Sequence, residues 1–62
     1  HTIIEKFLST IGIEENLLTE TELIEHNISL DTLNHFKIVS EFFGANADLL
    51  AMYKDYLSRQ LG

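Results

Sequence analysis

Apolar residues recur at helical spacing along nearly the whole of this chain. Ile3, Ile4, Phe7, Leu8 and Ile11 advance by one, three and four residues, which places them on one helix face. Thr2 followed by Glu5 fits a capping box, in which each side chain satisfies the other residue's unpaired backbone N–H. Gly12 stands where a helix C-terminus favours glycine, so the pattern predicts a helix from Thr2 to Ile11. Ile13 to Thr19 reads as a loop anchored by Ile13, Leu17 and Leu18. Thr19 and Glu22 repeat the capping-box spacing and predict a short helix over residues 20–26, carrying Leu23 and Ile24.

Asn27 to Ser29 breaks that helix, and Ser29 is a good N-cap. Ile28 and Leu33 flank it at the two positions of a hydrophobic staple. The helix that follows is predicted over residues 30–43. Leu30, Leu33, Phe36, Val39 and Phe43 form one face of it, widened by Ile38 and Phe42, and Gly44 stops or bends it. A last amphipathic helix, residues 47–61, carries Leu49, Leu50, Tyr53, Tyr56, Leu57 and Leu61, with Asn46 as its cap. Nothing alternates with period two, so strands are not expected. The reading is a single all-α domain, residues 1–62, a small bundle of three main helices and one short helix. In it Leu30, Leu33, Phe36, Val39, Leu50, Tyr53 and Leu57 pack with Ile4, Phe7 and Leu8. The structural alternative ignores Gly44 and runs one helix through residues 30–60, because glycine inside a helix costs only about 1 kcal/mol.

Size sets a limit on this bundle. Sixty-two residues (7.1 kDa) form one small domain, and ordering them costs about 90 kcal/mol. The 45% hydrophobic content is enough to attempt an offset by burial. Cysteine is absent, which removes disulfides, thiolate metal sites and thiol nucleophiles. No apolar run has the length of a membrane span, and no signal-peptide pattern is present; a cytoplasmic location is the default expectation. The chain begins on His1 instead of Met, as expected of a piece cut from a longer protein or of a cloning remnant.

Charge is unevenly placed. Ten acids face four bases, a net −6. Between Phe7 and Phe36 lie Glu14, Glu15, Glu20, Glu22, Glu25 and Asp31 with no Lys or Arg, while Lys37 onward is balanced. Such a stretch repels phosphate backbones and anionic membranes and attracts basic protein surfaces. The expected partners are therefore proteins, with neither nucleic acid nor membrane. Acidity of this kind also serves solubility alone.

Catalytic templates are missing. Glu22 with His26, and Asp31 with His35, each lie four apart and offer two-ligand helix faces, short of a metal site. Glu14–Glu15 and Glu20–Glu22 read as a solvated rim. No nucleophile is paired with a base in a recognisable motif, and no Gly-rich phosphate loop exists. The chain is expected not to be an enzyme.

The segment Leu23 to Gly44, LIEHNISLDTLNHFKIVSEFFG, resembles acyl carrier and peptidyl carrier proteins. In that family a loop ending in G-x-D-S-L runs into the second helix, which ends in a phrase like E-E-x-F-G. Ser29-Leu30-Asp31-Thr32-Leu33 stands at the Ser-led helix start and Glu41-Phe42-Phe43-Gly44 at its end. Leu23-Ile24-Glu25 looks like the phrase before the motif. Ile11-Gly12-Ile13-Glu14-Glu15 is similar to the end of the family's first helix, and the run from Tyr53 to Leu61 looks like its last helix. The motif Gly is missing, Ile28 replaces the Asp before the serine, and the chain is short in the long loop and third helix. Asp31-Thr32-Leu33 offers a rival register with Thr for Ser.

The resemblance implies a 4′-phosphopantetheine arm on Ser29, carrying an acyl or aminoacyl thioester between enzymes of fatty-acid, polyketide or peptide assembly. It also implies that Leu30, Asp31, Leu33, Asn34, Lys37 and Glu41 meet basic surfaces of synthase or transferase domains. The other reading of Ser29 is an N-cap alone. A different class fits the same composition: a helical docking or regulatory domain with no covalent cofactor, able to form a homodimer. In it Phe42, Phe43, Met52, Tyr53 and Tyr56 build an interface in place of a closed core.

Overall fold

The computed structural model describes residues 2–62, with Thr2 described through its backbone. Four helices follow one another: α1 (Thr2–Thr10), α2 (Leu17–Glu25), α3 (Leu30–Ala45) and α4 (Ala47–Leu61). No strand occurs among the described residues. The small all-α bundle read from periodicity is the architecture, with helix ends shifted by one to three residues at several places. The Thr2 half of the first capping box lies outside the described side chains.

α1 buries Ile4 and Leu8, one turn apart, and ends in a Schellman motif. The Ile13 N–H donates to the Leu8 carbonyl at 2.9 Å, and the Gly12 N–H donates to the Ser9 carbonyl at 3.1 Å. Gly12 holds φ +105° there, a conformation other residues adopt only with strain. α2 starts three residues earlier than the Thr19 cap predicted. Asn16, at φ 57° and ψ 29°, turns the chain instead, and its carbonyl accepts from the Glu20 N–H at 2.9 Å. Asparagine tolerates this left-handed conformation better than most residues.

α3 continues through Gly44, and the break falls at Asn46 (φ −132°, ψ 70°). Asn46 was expected to cap α4, yet its side chain makes no cap bond there. Its Nδ2 turns back and donates to the Phe42 carbonyl at 2.8 Å. Its own carbonyl accepts from Leu49 and Leu50, so one residue closes α3 and opens α4. Asparagine side chains compete for backbone groups in this manner, whereas a helical glycine only weakens the helix.

α1 packs against both α2 and α3, and α4 packs against α3. The centre of the contact between α1 and α3 is a stack of Phe7 on Phe36, ring centroids 4.1 Å apart. α3 turns inward along Leu33, Phe36, Ser40 and Phe43, with Ser40 buried and donating to the Phe36 carbonyl at 3.0 Å. This corrects the expected core face: Leu30 is 85% exposed and Val39 is exposed. With successive residues about 100° apart, both sit well to either side of the inward line. α4 joins α1 at its far end, where the Tyr53 hydroxyl donates to the Ile11 carbonyl at 2.5 Å.

Thr21 on α2 is fully buried, and its hydroxyl has no hydrogen-bond partner. A buried unpaired hydroxyl costs about 1–3 kcal/mol. Thr21→Val keeps the shape and removes that group. It is expected to raise the melting temperature by about 4–8 °C, the shift that goes with 1 kcal/mol in a domain of this size. Thermal unfolding followed by circular dichroism checks this, and a lower melting temperature refutes it.

Candidate functional site

Ser29 was the residue singled out for attachment of a prosthetic arm, and its surroundings can be built from the start of α3. It has extended backbone angles (φ −79°, ψ 161°), as an N-cap requires. Its Oγ accepts from the Thr32 N–H at 3.1 Å and donates to Thr32 Oγ1 at 3.0 Å. Its carbonyl accepts from the Leu33 N–H at 3.0 Å. Ile28 and Leu33, the staple positions, are both half-buried. Ser29 is exposed, so its hydroxyl is reachable, but the cap already occupies the oxygen. Asp31 lies in the first turn of α3, so the positive end of the helix dipole already has an anion beside it.

The residues assigned to partner contact divide into two groups. Leu30, Asn34, Lys37 and Glu41 recur at steps of four, three and four residues, and all are exposed. They form one outward stripe on α3. Leu33 turns inward and is half-buried. Asp31 is exposed and lies beside His35, whose Nδ1 is 3.9 Å from the carboxylate and 2.8 Å from the Asp31 backbone carbonyl. Among the described residues no three acid or histidine side chains gather where a metal ion could sit. No helix among them is long and apolar enough to cross a membrane.

The larger surface feature was only partly anticipated. Of the five residues read as an alternative interface, Phe42, Met52 and Tyr56 are exposed, while Phe43 and Tyr53 are half-buried and in ring contact. Leu18 and Leu23 on α2 are also exposed. A shallow apolar pocket of about 230 Å³ lies between Leu8, Ile11, Ile13 and Ile24, with Glu20 at its edge. Glu14, Glu15 and Asn16 line a more open hollow beside it, so this end of the molecule combines apolar side chains with acid. Hydropathy alone marks the aliphatic and aromatic positions among these as apolar. It carries no signal for which of them the chain's own helices cover.

No family model, no curated protein and no solved structure matches the chain.

Proposed function

We propose that this chain is a non-catalytic helical protein–protein interaction domain, with an acidic end directed at a basic partner. One observation carries the reading. A folded monomer of 7.1 kDa exposes about 4,100 Å², whereas this chain exposes 4729 Å². Its radius of gyration, 12.2 Å, likewise exceeds the roughly 10.6 Å of a compact chain of this length. The exposed side chains include Leu18, Leu23, Ile38, Phe42, Met52 and Tyr56, and exposed apolar surface of this kind marks association sites. The acids Glu14, Glu15, Glu20, Glu22 and Glu25 lie in and before α2, all exposed, and supply steering toward positive surfaces. The test is affinity capture with cross-linking, followed by titration of the identified protein against the chain. Reversing Glu20 and Glu22 to Lys is expected to weaken binding at least about tenfold at low salt, and less at high salt. A chain with no saturable partner refutes the reading.

The exposed Ser29 hydroxyl at the head of a 16-residue helix favours a second reading, a carrier bearing 4′-phosphopantetheine. Ser29 would hold the arm, and the arm would supply the thiol for an acyl or aminoacyl thioester. Against it stand the two hydrogen bonds to Thr32 and Ile28 in place of the Asp before the serine. Incubation with a broad-specificity phosphopantetheinyl transferase and coenzyme A separates the two readings. A mass gain of one phosphopantetheine, lost in Ser29→Ala, supports the carrier; no gain supports the interaction domain. In either case Ser29→Ala removes the α3 cap and is expected to cost about 1 kcal/mol in thermal unfolding.

A further inference from the structure

α3 and α4 meet at an elbow, and an apolar track of exposed and half-buried side chains flanks it on both helices. Ile38 and Phe42 lie one turn apart on α3 and are both about half exposed, at 52% and 50%. Phe42 meets Phe43 edge-on with ring centroids 5.4 Å apart, and Phe43 lies 6.1 Å from the Tyr53 ring on α4. Leu49 and Tyr56 neighbour Tyr53 along α4, and Met52 neighbours Tyr56. Met52 is 66% exposed. The Arg59 guanidinium stands 6.0 Å from the Tyr56 ring centre, at the rim, while ion-paired to Asp55 at 3.2 Å.

We propose that a second copy of this chain covers the track, forming an isologous dimer through the α3–α4 elbow. The inference rests on the interaction-domain reading and names one of its partners. Charge placement selects this occupant. Residues 37–61 carry Lys37, Lys54 and Arg59 against Glu41, Asp48 and Asp55, so the elbow is neutral on a chain of net −6. Two copies meeting through α2 would bring their acid-rich ends together, and like charges in contact disfavour association. Meeting through the elbow keeps those ends apart. A basic partner would be drawn to the acidic end and would leave the elbow open.

The composition fits as well, since aromatic residues and Met are enriched in interface centres, and Arg is enriched too. Such a patch is self-complementary, because aromatic and Met side chains pack against their own kind across a two-fold axis.

Sedimentation equilibrium of the whole chain, from about 10 μM to about 1 mM, tests the proposal. The expected result is a mass rising to twice 7.1 kDa. Phe42→Gln with Met52→Gln is expected to raise the dimer dissociation constant at least about tenfold. Leu18→Gln, equally neutral and on α2, is expected to leave it unchanged. Circular dichroism confirms that each variant is folded, and Met52→Gln alone, at an exposed helix position, replaces the double variant if that unfolds. A wild-type chain that stays monomeric throughout overturns the dimer, as does a dimer that only Leu18→Gln weakens. A monomer that still binds a basic partner overturns the dimer alone. A monomer without any partner overturns the interaction-domain reading too.

Discussion

Ile4→Ala is expected to bring the chain close to unfolding at room temperature. Ile4 is 2% exposed, the most buried large apolar side chain among the described residues. Truncating a buried Ile to Ala costs about 2–5 kcal/mol, from lost transfer free energy and the cavity left behind. A domain of 62 residues holds only about 3–9 kcal/mol of net stability at typical values per residue. So thin a core has few neighbours able to collapse into the gap, because Leu8, 7% exposed, is the other buried apolar side chain among the described residues. The melting temperature should fall by more than 10 °C at about 4–8 °C per kcal/mol. Leu30→Ala, at a position 85% exposed, is the matched control and should stay within about 0.5 kcal/mol of wild type. Urea unfolding of both variants checks the pair. A cost below about 1 kcal/mol for Ile4→Ala would mean that the inward face of α1 is wrongly placed.

The contrast between Ile4 and Leu30 also shows how far the sequence could be read. Ile4 and Leu8 lie on the only apolar arc of α1, so periodicity and burial agree. α3 has apolar residues around much of its circumference, including Leu30, Ile38, Val39 and Phe42, and several inward faces are consistent with that pattern. The stacking of Phe7 on Phe36 selects one of them, and small Ser40 is buried along it. That choice depends on a residue 29 positions away in the chain, and no local spacing encodes it. Ends controlled by local chemistry were legible, as at Ser29 and Gly12. Ends where two signals compete were not. At Gly44 the weak breaker yields and Asn46 breaks the helix instead; at Thr19 the capping-box spacing loses to the left-handed turn at Asn16. The candidate site divides similarly. The position of Ser29 on the surface follows from its role as a cap, whereas the elbow track exists only because α4 meets α3 at Phe43 and Tyr53.

Gly12→Ala is expected to cost about 2 kcal/mol and to loosen α4 more than the rest of the bundle. Part of the cost is conformational. A Cβ at φ +105° is strained, and even the better-populated left-handed region costs an L-residue about 1–2 kcal/mol. The remainder is steric, because a Cβ placed on Gly12 lies 2.5 Å from Leu57 Cδ2. The Leu57 side chain must then move away, at the place where α4 reaches the end of α1. Tyr53 donates to Ile11 one residue before Gly12, so the same displacement strains that hydrogen bond. The two parts separate in a double-mutant cycle. Leu57→Ala removes the clash, so Gly12→Ala should cost less in that background than in wild type, and the difference measures the steric part. Hydrogen exchange should show lost protection concentrated in residues 47–61, with α1 and α3 less affected. Equal cost in both backgrounds would leave the backbone strain as the whole effect and remove Leu57 as the contact that sets the angle of the elbow. If Leu57 does set that angle, Gly12→Ala should also weaken the dimer, although Gly12 is not part of the apolar track. That dependence ties the shape of the interface to a single turn at the end of α1.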